Sequence, residues 1–91
     1  TLRGADLHNA GLSMADCRGA DLRNADLTDA LLWRTNLAGA DLSGADLTDA
    51  FLWGADLTDA DLTDAVLVDA NVADADLGGT TLTQATLWAS R

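Results

Sequence analysis

Residues Ala40–Asp64 read ADLSGADLTDAFLWGADLTDADLTD. One five-residue phrase is repeated there: Ala, Asp, Leu and two variable residues. Ala45-Asp46-Leu47 and Ala55-Asp56-Leu57 are plain copies. The phrase is broken once, at Ala50-Phe51-Leu52-Trp53-Gly54, where Phe stands for Asp and Trp follows the Leu.

Stepping outward by five from Leu42 recovers the same phrase along the chain. The centres run Leu2, Leu7, Leu12, Cys17, Leu22 and on through Leu67, Val72, Leu77, Leu82 and Leu87, without a slip. Two residues before each centre stands Ala, replaced by Thr only at Thr35 and Thr80. Nothing interrupts the frame, so residues 1–91 read as a single domain.

A strict period of five fits neither common element. In an α-helix it carries successive leucines around every side. In a flat strand it puts them on alternate faces. It does fit a short extended piece followed by a corner. The chain then turns about ninety degrees per unit, and four units close a square, all-β coil of 20 residues. The centre and the small residue point inward. The other three positions point outward and carry Asp, Asn, Thr, Ser, Gly and Arg. Thr35 and Thr80, placed inward, have hydroxyls that can bond to the backbone.

The A(D/N)LXX pattern resembles the pentapeptide-repeat family over essentially all of Thr1–Leu87. The resemblance implies a right-handed quadrilateral β-helix with four pentapeptides per coil, here about four and a half coils. No helix is expected from the repeats. At the ~4.8 Å spacing of paired strands, the rod would be roughly 20 Å tall.

The alphabet is narrow. All 15 acids are Asp, all five bases are Arg, and the net charge is −10. That balance excludes simple attraction to nucleic acid and favours a cationic partner. Cys17 is alone, so no internal disulfide forms. It is expected to be a buried thiol in a reducing, cytoplasmic compartment. No apolar run is long enough to span a membrane. The first residue is Thr, so the chain reads as processed or as an excerpt of a longer one, which leaves export open. No catalytic triad, phosphate loop or metal-ligand cluster is present, so neither catalysis, metal nor cofactor is expected. His8 reads as plain surface, and Met14 as a corner residue packed on the Arg34 stem.

If residue n lies under n+20, the acids form ladders: Asp21, Asp41 and Asp61; Asp6, Asp26 and Asp46; Asp29, Asp49 and Asp69; and Asp56 with Asp76. Neighbouring charges ~4.8 Å apart repel by about 0.9 kcal/mol in bulk water. Raised pKa values, and melting temperatures that rise with salt, are therefore expected. Arg3 should stack with Arg23 beside Asp21.

The same register assembles two apolar patches. Leu31 lies on Phe51 and Trp33 on Trp53, all on one side, with Arg34 at the edge and able to cover an indole. A smaller patch is Val66, Val68 and Trp88. Contiguous exposed aromatics point to contact with a protein partner. Uncapped coils expose leucine centres, so a homodimer through an end coil or through the aromatic side is also expected. The leading reading is a non-catalytic structural and protein-interaction module with an acidic face and an aromatic patch. The alternative comes from the family resemblance: a DNA-mimic regulator that binds a type II topoisomerase, as in quinolone resistance.

Overall fold

The computed structural model describes residues 1–86. Single-residue parallel bridges join positions 20 apart, from Asp6–Asp26 through Asp41–Asp61 to Val66–Thr86. The register inferred from the leucine spacing is therefore the register of the coil. Extended structure is confined to one bridging residue per pentapeptide, immediately before the centre. The two residues after the centre form the turn. The principal extents are 28 × 25 × 22 Å.

Units that have a following coil make the same backbone bonds. The N–H of Leu22 donates to Asp41 O at 2.8 Å, and the N–H of Asn24 donates to Ser43 O at 3.0 Å. Both tie one coil to the next. The N–H of Ala25 closes the corner on Leu22 O at 3.1 Å. Every fifth residue from Gly4 to Gln84 has φ between 56 and 71°. Positive φ at the third residue of a four-residue turn, and not at the second, is the type II pattern. This is why the last letter of the phrase is so often Gly, Asn or Asp, the residues that enter the left-handed region at least cost. At Gly44 the requirement is doubled, because a Cβ there would meet the Asn24 carboxamide as well.

The inward positions form one dry column. Leu22 through Leu67 and Ala25 through Ala70 are buried at every step, with Thr35 the sole polar member. Its hydroxyl donates to Leu12 O at 2.8 Å, and Thr80 repeats the bond to Leu57 O at 2.8 Å. Each thus reaches the corner carbonyl of the neighbouring coil, so a polar atom sits in the core without an unpaired group. Cys17 departs from its expected burial: it is only half-buried, packed against one side of the core in the first coil. Desolvation pushes its thiol pKa up, and the Asp16 charge adds to this. A raised pKa leaves little thiolate at neutral pH.

Candidate functional site

The outward residue before each centre decides what its side of the square presents. Where it is Asp or Asn, Oδ1 accepts the backbone N–H two residues on. The bond recurs at Asp6–His8, Asp26–Thr28, Asn36–Ala38, Asp41–Ser43, Asp61–Thr63 and Asp76–Gly78, at 2.9 to 3.2 Å. The corner N–H has no backbone partner of its own, and this local side-chain bond supplies one. A Thr or Ser in the donor position adds its hydroxyl to the same oxygen: Thr28 at 2.7 Å, and Ser43, Thr48 and Thr63 at 2.6 Å. The Asp-Leu-Thr phrase is a local hydrogen-bonding unit before it is a charge pattern.

This overturns the expectation of raised carboxylate pKa values. Asp26, Asp56 and Asp61 are lowered, first by the Thr side chain two residues on and then by its N–H. Asp16 falls to about 2, chiefly through the Arg18 guanidinium. That contact is bidentate, at 2.9 and 2.7 Å. Asp21 is held well below the ordinary range by Arg23, which is bidentate at 2.8 and 2.7 Å, with help from the Thr1 hydroxyl at 3.1 Å. At these five groups, donors within a few ångströms outweigh repulsion between coils. Arg3 reaches Asp21 at 3.7 Å and Arg23 reaches Asp41 at 3.6 Å, so the arginine column runs beside the Asp21 ladder as expected.

The side centred on Leu12, Leu32, Leu52 and Val72 is different. Its bridging residues are Gly11, Leu31, Phe51 and Asn71, with no carboxylate among them. Leu31 and Phe51 bridge directly. Both are 47% exposed, and Trp33 and Trp53 are 37% and 38% exposed. The Arg34 guanidinium lies 5.7 Å from the centroid of the Trp53 ring. The expected patch is thus assembled as the register required. Sequence reasoning missed one consequence. With Leu31 and Phe51 in place of Asp, the N–H groups of Trp33 and Trp53 have no acceptor among the described residues. Gly11 has the same effect on Ser13, whose buried Oγ is unpaired.

Several expectations fare otherwise. Val66 and Val68 are half-buried, and Val66 bridges Asp46 and Thr86 in its column. Trp88 lies outside the described residues. His8 is exposed as expected, but its Nδ1 lies 2.8 Å from Thr28 Oγ1 and 3.8 Å from Asp29 Oδ2, tying two coils together. Met14 is 65% exposed in a left-handed corner. The described residues enclose no pocket, so the patch is an open surface. Among them, no helix is long and apolar enough to cross a membrane.

The bridges and corners define a parallel β-helix of square section, built from pentapeptides. The pentapeptide repeat pattern matches in 8 copies, over residues 1–32, 15–54, 25–64 and 49–84, and the chain belongs to the pentapeptide repeat family. Its members adopt a right-handed quadrilateral β-helix and generally serve as structural and interaction modules. A pentapeptide repeat protein from Nostoc PCC 7120 is similar at 44% identity and a TM-score of 0.82, over 82% of this chain and 62% of that one. The chain thus spans less than two thirds of that structure. A second solved relative, from the cyanobacterium Cyanothece 51142, shares 32% identity at a TM-score of 0.49, over 89% of this chain and 58% of that one. The heterocyst-differentiation protein HetL of Nostoc sp. PCC 7120 shares 36% identity at a TM-score of 0.48, over 94% of this chain and 48% of that one. No curated protein matches the chain.

Proposed function

We propose that this protein is a non-catalytic interaction module of about four and a half coils. It would dock a protein partner on the side bearing Leu31, Trp33, Phe51, Trp53 and Arg34. One observation carries the reading. Four large apolar side chains stand outward in adjacent coils, where neighbouring units place carboxylates, threonines and small residues. Substituting Asp by Leu or Phe forgoes a local hydrogen bond at each coil; stacking of Leu31 on Phe51 offsets part of that loss, and the area left exposed favours a partner.

Peptide selection on the immobilised protein tests this. The wild type should enrich binders that the Leu31→Asp/Phe51→Asp double variant does not retain. The variant restores the Asp-Leu phrase in both coils and should fold. Identical enrichment on the two proteins would remove the patch from function.

A second reading draws on the ladders Asp21–Asp41–Asp61 and Asp6–Asp26–Asp46, whose members bridge in register. Arg3 and Arg23 pair with Asp21 and Asp41, but beyond residue 34 no base accompanies the acids in the described residues, so the later members of these columns present regularly spaced negative charge, as a duplex backbone does. On this reading the partner is a DNA-binding enzyme of the type II topoisomerase class. A supercoiling assay with and without the protein separates the two, since only the mimic changes it.

A further inference from the structure

The aromatic side is bordered by carboxylates. The corner that leads into it carries Asp29, Asp49 and Asp69, all exposed. The side that follows it bears Asn36, Asp56 and Asp76 in one bridged column. Asp74 closes its far corner. Asp29 faces His8, but Asp49 and Asp74 have no cation within pairing distance among the described residues. Arg34 is the only base on the side among the described residues, and its guanidinium lies over Trp53. The surface is therefore an apolar strip, two coils deep, between rows of carboxylates most of which have no cation within pairing distance among the described residues.

Resting on the docking reading above, we infer that the occupant is a short extended peptide segment of a partner, with large apolar residues at its centre and Lys or Arg at both flanks. Three features of the side select it. The apolar strip takes the central side chains. The N–H groups of Trp33 and Trp53, unbonded among the described residues, are open to oxygen acceptors, which the carbonyls of an extended main chain bring. The flanking carboxylates take the cations. Size agrees: one side of the square is one pentapeptide with a corner in it, so an extended segment of up to about five residues, at ~3.3 Å each, is long enough to cross from one acidic row to the other.

A second copy of this chain fits less well. Each copy carries a net charge of −10, and four side chains fall short of the roughly 800 Å² per partner that a stable dimer buries. Nucleic acid is repelled by the same rows.

The test uses three labelled synthetic peptides, Lys-Leu-Trp-Leu-Lys and its Ser-flanked and Glu-flanked counterparts. They are titrated into wild type, the double variant Leu31→Asp/Phe51→Asp and the rim variant Asp49→Asn/Asp56→Asn. Asn serves at both rim positions elsewhere in the chain, at Asn24 and Asn36, so the rim variant should fold. The Lys peptide should bind wild type about tenfold more tightly than the Ser peptide at low salt, with the Glu peptide weakest. The rim variant should lose most of that preference and keep the Ser-peptide affinity. The patch variant should lose all binding. Equal binding of the Lys and Ser peptides overturns the charge selection and leaves the docking reading standing. Failure of all three peptides on wild type overturns both. A dimer in light scattering that the patch variant abolishes also overturns the proposal, because a second copy then holds the side.

Discussion

Thr63 donates twice to one oxygen of Asp61: its backbone N–H lies 2.9 Å from Oδ1 and its hydroxyl 2.6 Å. The same oxygen-sharing holds at Asp26–Thr28, Asp41–Ser43 and Asp46–Thr48. The repeat therefore builds its acidic columns from carboxylates whose Oδ1 is already engaged by two local donors.

Acid should unfold the coil. Asp16, Asp26, Asp56 and Asp61 have folded pKa values below the reference value of 3.8, Asp16 at about 2. For a lowered carboxyl, the stabilising contribution is complete above the unfolded pKa and is lost as pH falls through the folded one. Melting temperature should hold from neutral pH down to about 4–5 and then fall steeply toward about 2. Asp61→Asn keeps an Oδ1 acceptor, as Asn36 and Asn71 do, and should flatten that fall slightly. A melting temperature that rises on acidification would mean that repulsion within the ladders dominates.

Completing a broken unit should stabilise the protein. Gly11 leaves the Ser13 hydroxyl buried and unpaired, and a Cβ added at residue 11 meets nothing within 4 Å. Gly11→Asp supplies the missing acceptor and removes backbone freedom worth about 0.4–1 kcal/mol in the unfolded chain. Thermal denaturation should shift up by a few degrees. No shift would imply that the corner N–H groups are already satisfied by water.

The corners should respond to residue type in opposite senses. Met14, at φ 64°, is an unbranched side chain in a conformation that Asn tolerates better, so Met14→Asn should stabilise by up to about 1 kcal/mol. Gly44→Ala puts a Cβ against the Asn24 carboxamide at φ 71° and should destabilise by about 1–2 kcal/mol. Denaturant midpoints of the pair give the comparison.

Core and corner should differ by kind. Leu42 is fully buried, so Leu42→Asp leaves a charge without a partner and should abolish cooperative unfolding. Ser43→Asp is less innocuous than an outward position suggests. It removes the 2.6 Å bond to Asp41 and sets two carboxylates side by side, so a modest loss is expected. Circular dichroism melts of both variants would show a folded protein only for the second.

The coil register was legible because leucine spacing alone determines it. Once Leu32 and Leu52 must both face inward, Leu31 must fall on Phe51 and Trp33 on Trp53, and no side-chain geometry is needed. The Thr35 hydroxyl bond was legible for a similar reason: an inward hydroxyl has only backbone to meet. The state of the carboxylates was not. It depends on where the corner N–H points, which follows from the positive φ at residues such as Asp29 and Asp64, and a list of spacings carries no such direction. The same gap hid the free N–H groups of Trp33 and Trp53, and the link from His8 to Thr28.

Amide hydrogen exchange at Trp33 and Trp53, with and without the Lys-flanked peptide, tests the docking site most directly. The account predicts fast exchange at both amides in the free protein, against slow exchange at Thr28, Thr48 and Thr63. It predicts protection at both tryptophans on binding. Slow exchange at Trp33 and Trp53 in the free protein, or protection confined to the Asp21–Asp41–Asp61 side on binding, would contradict it.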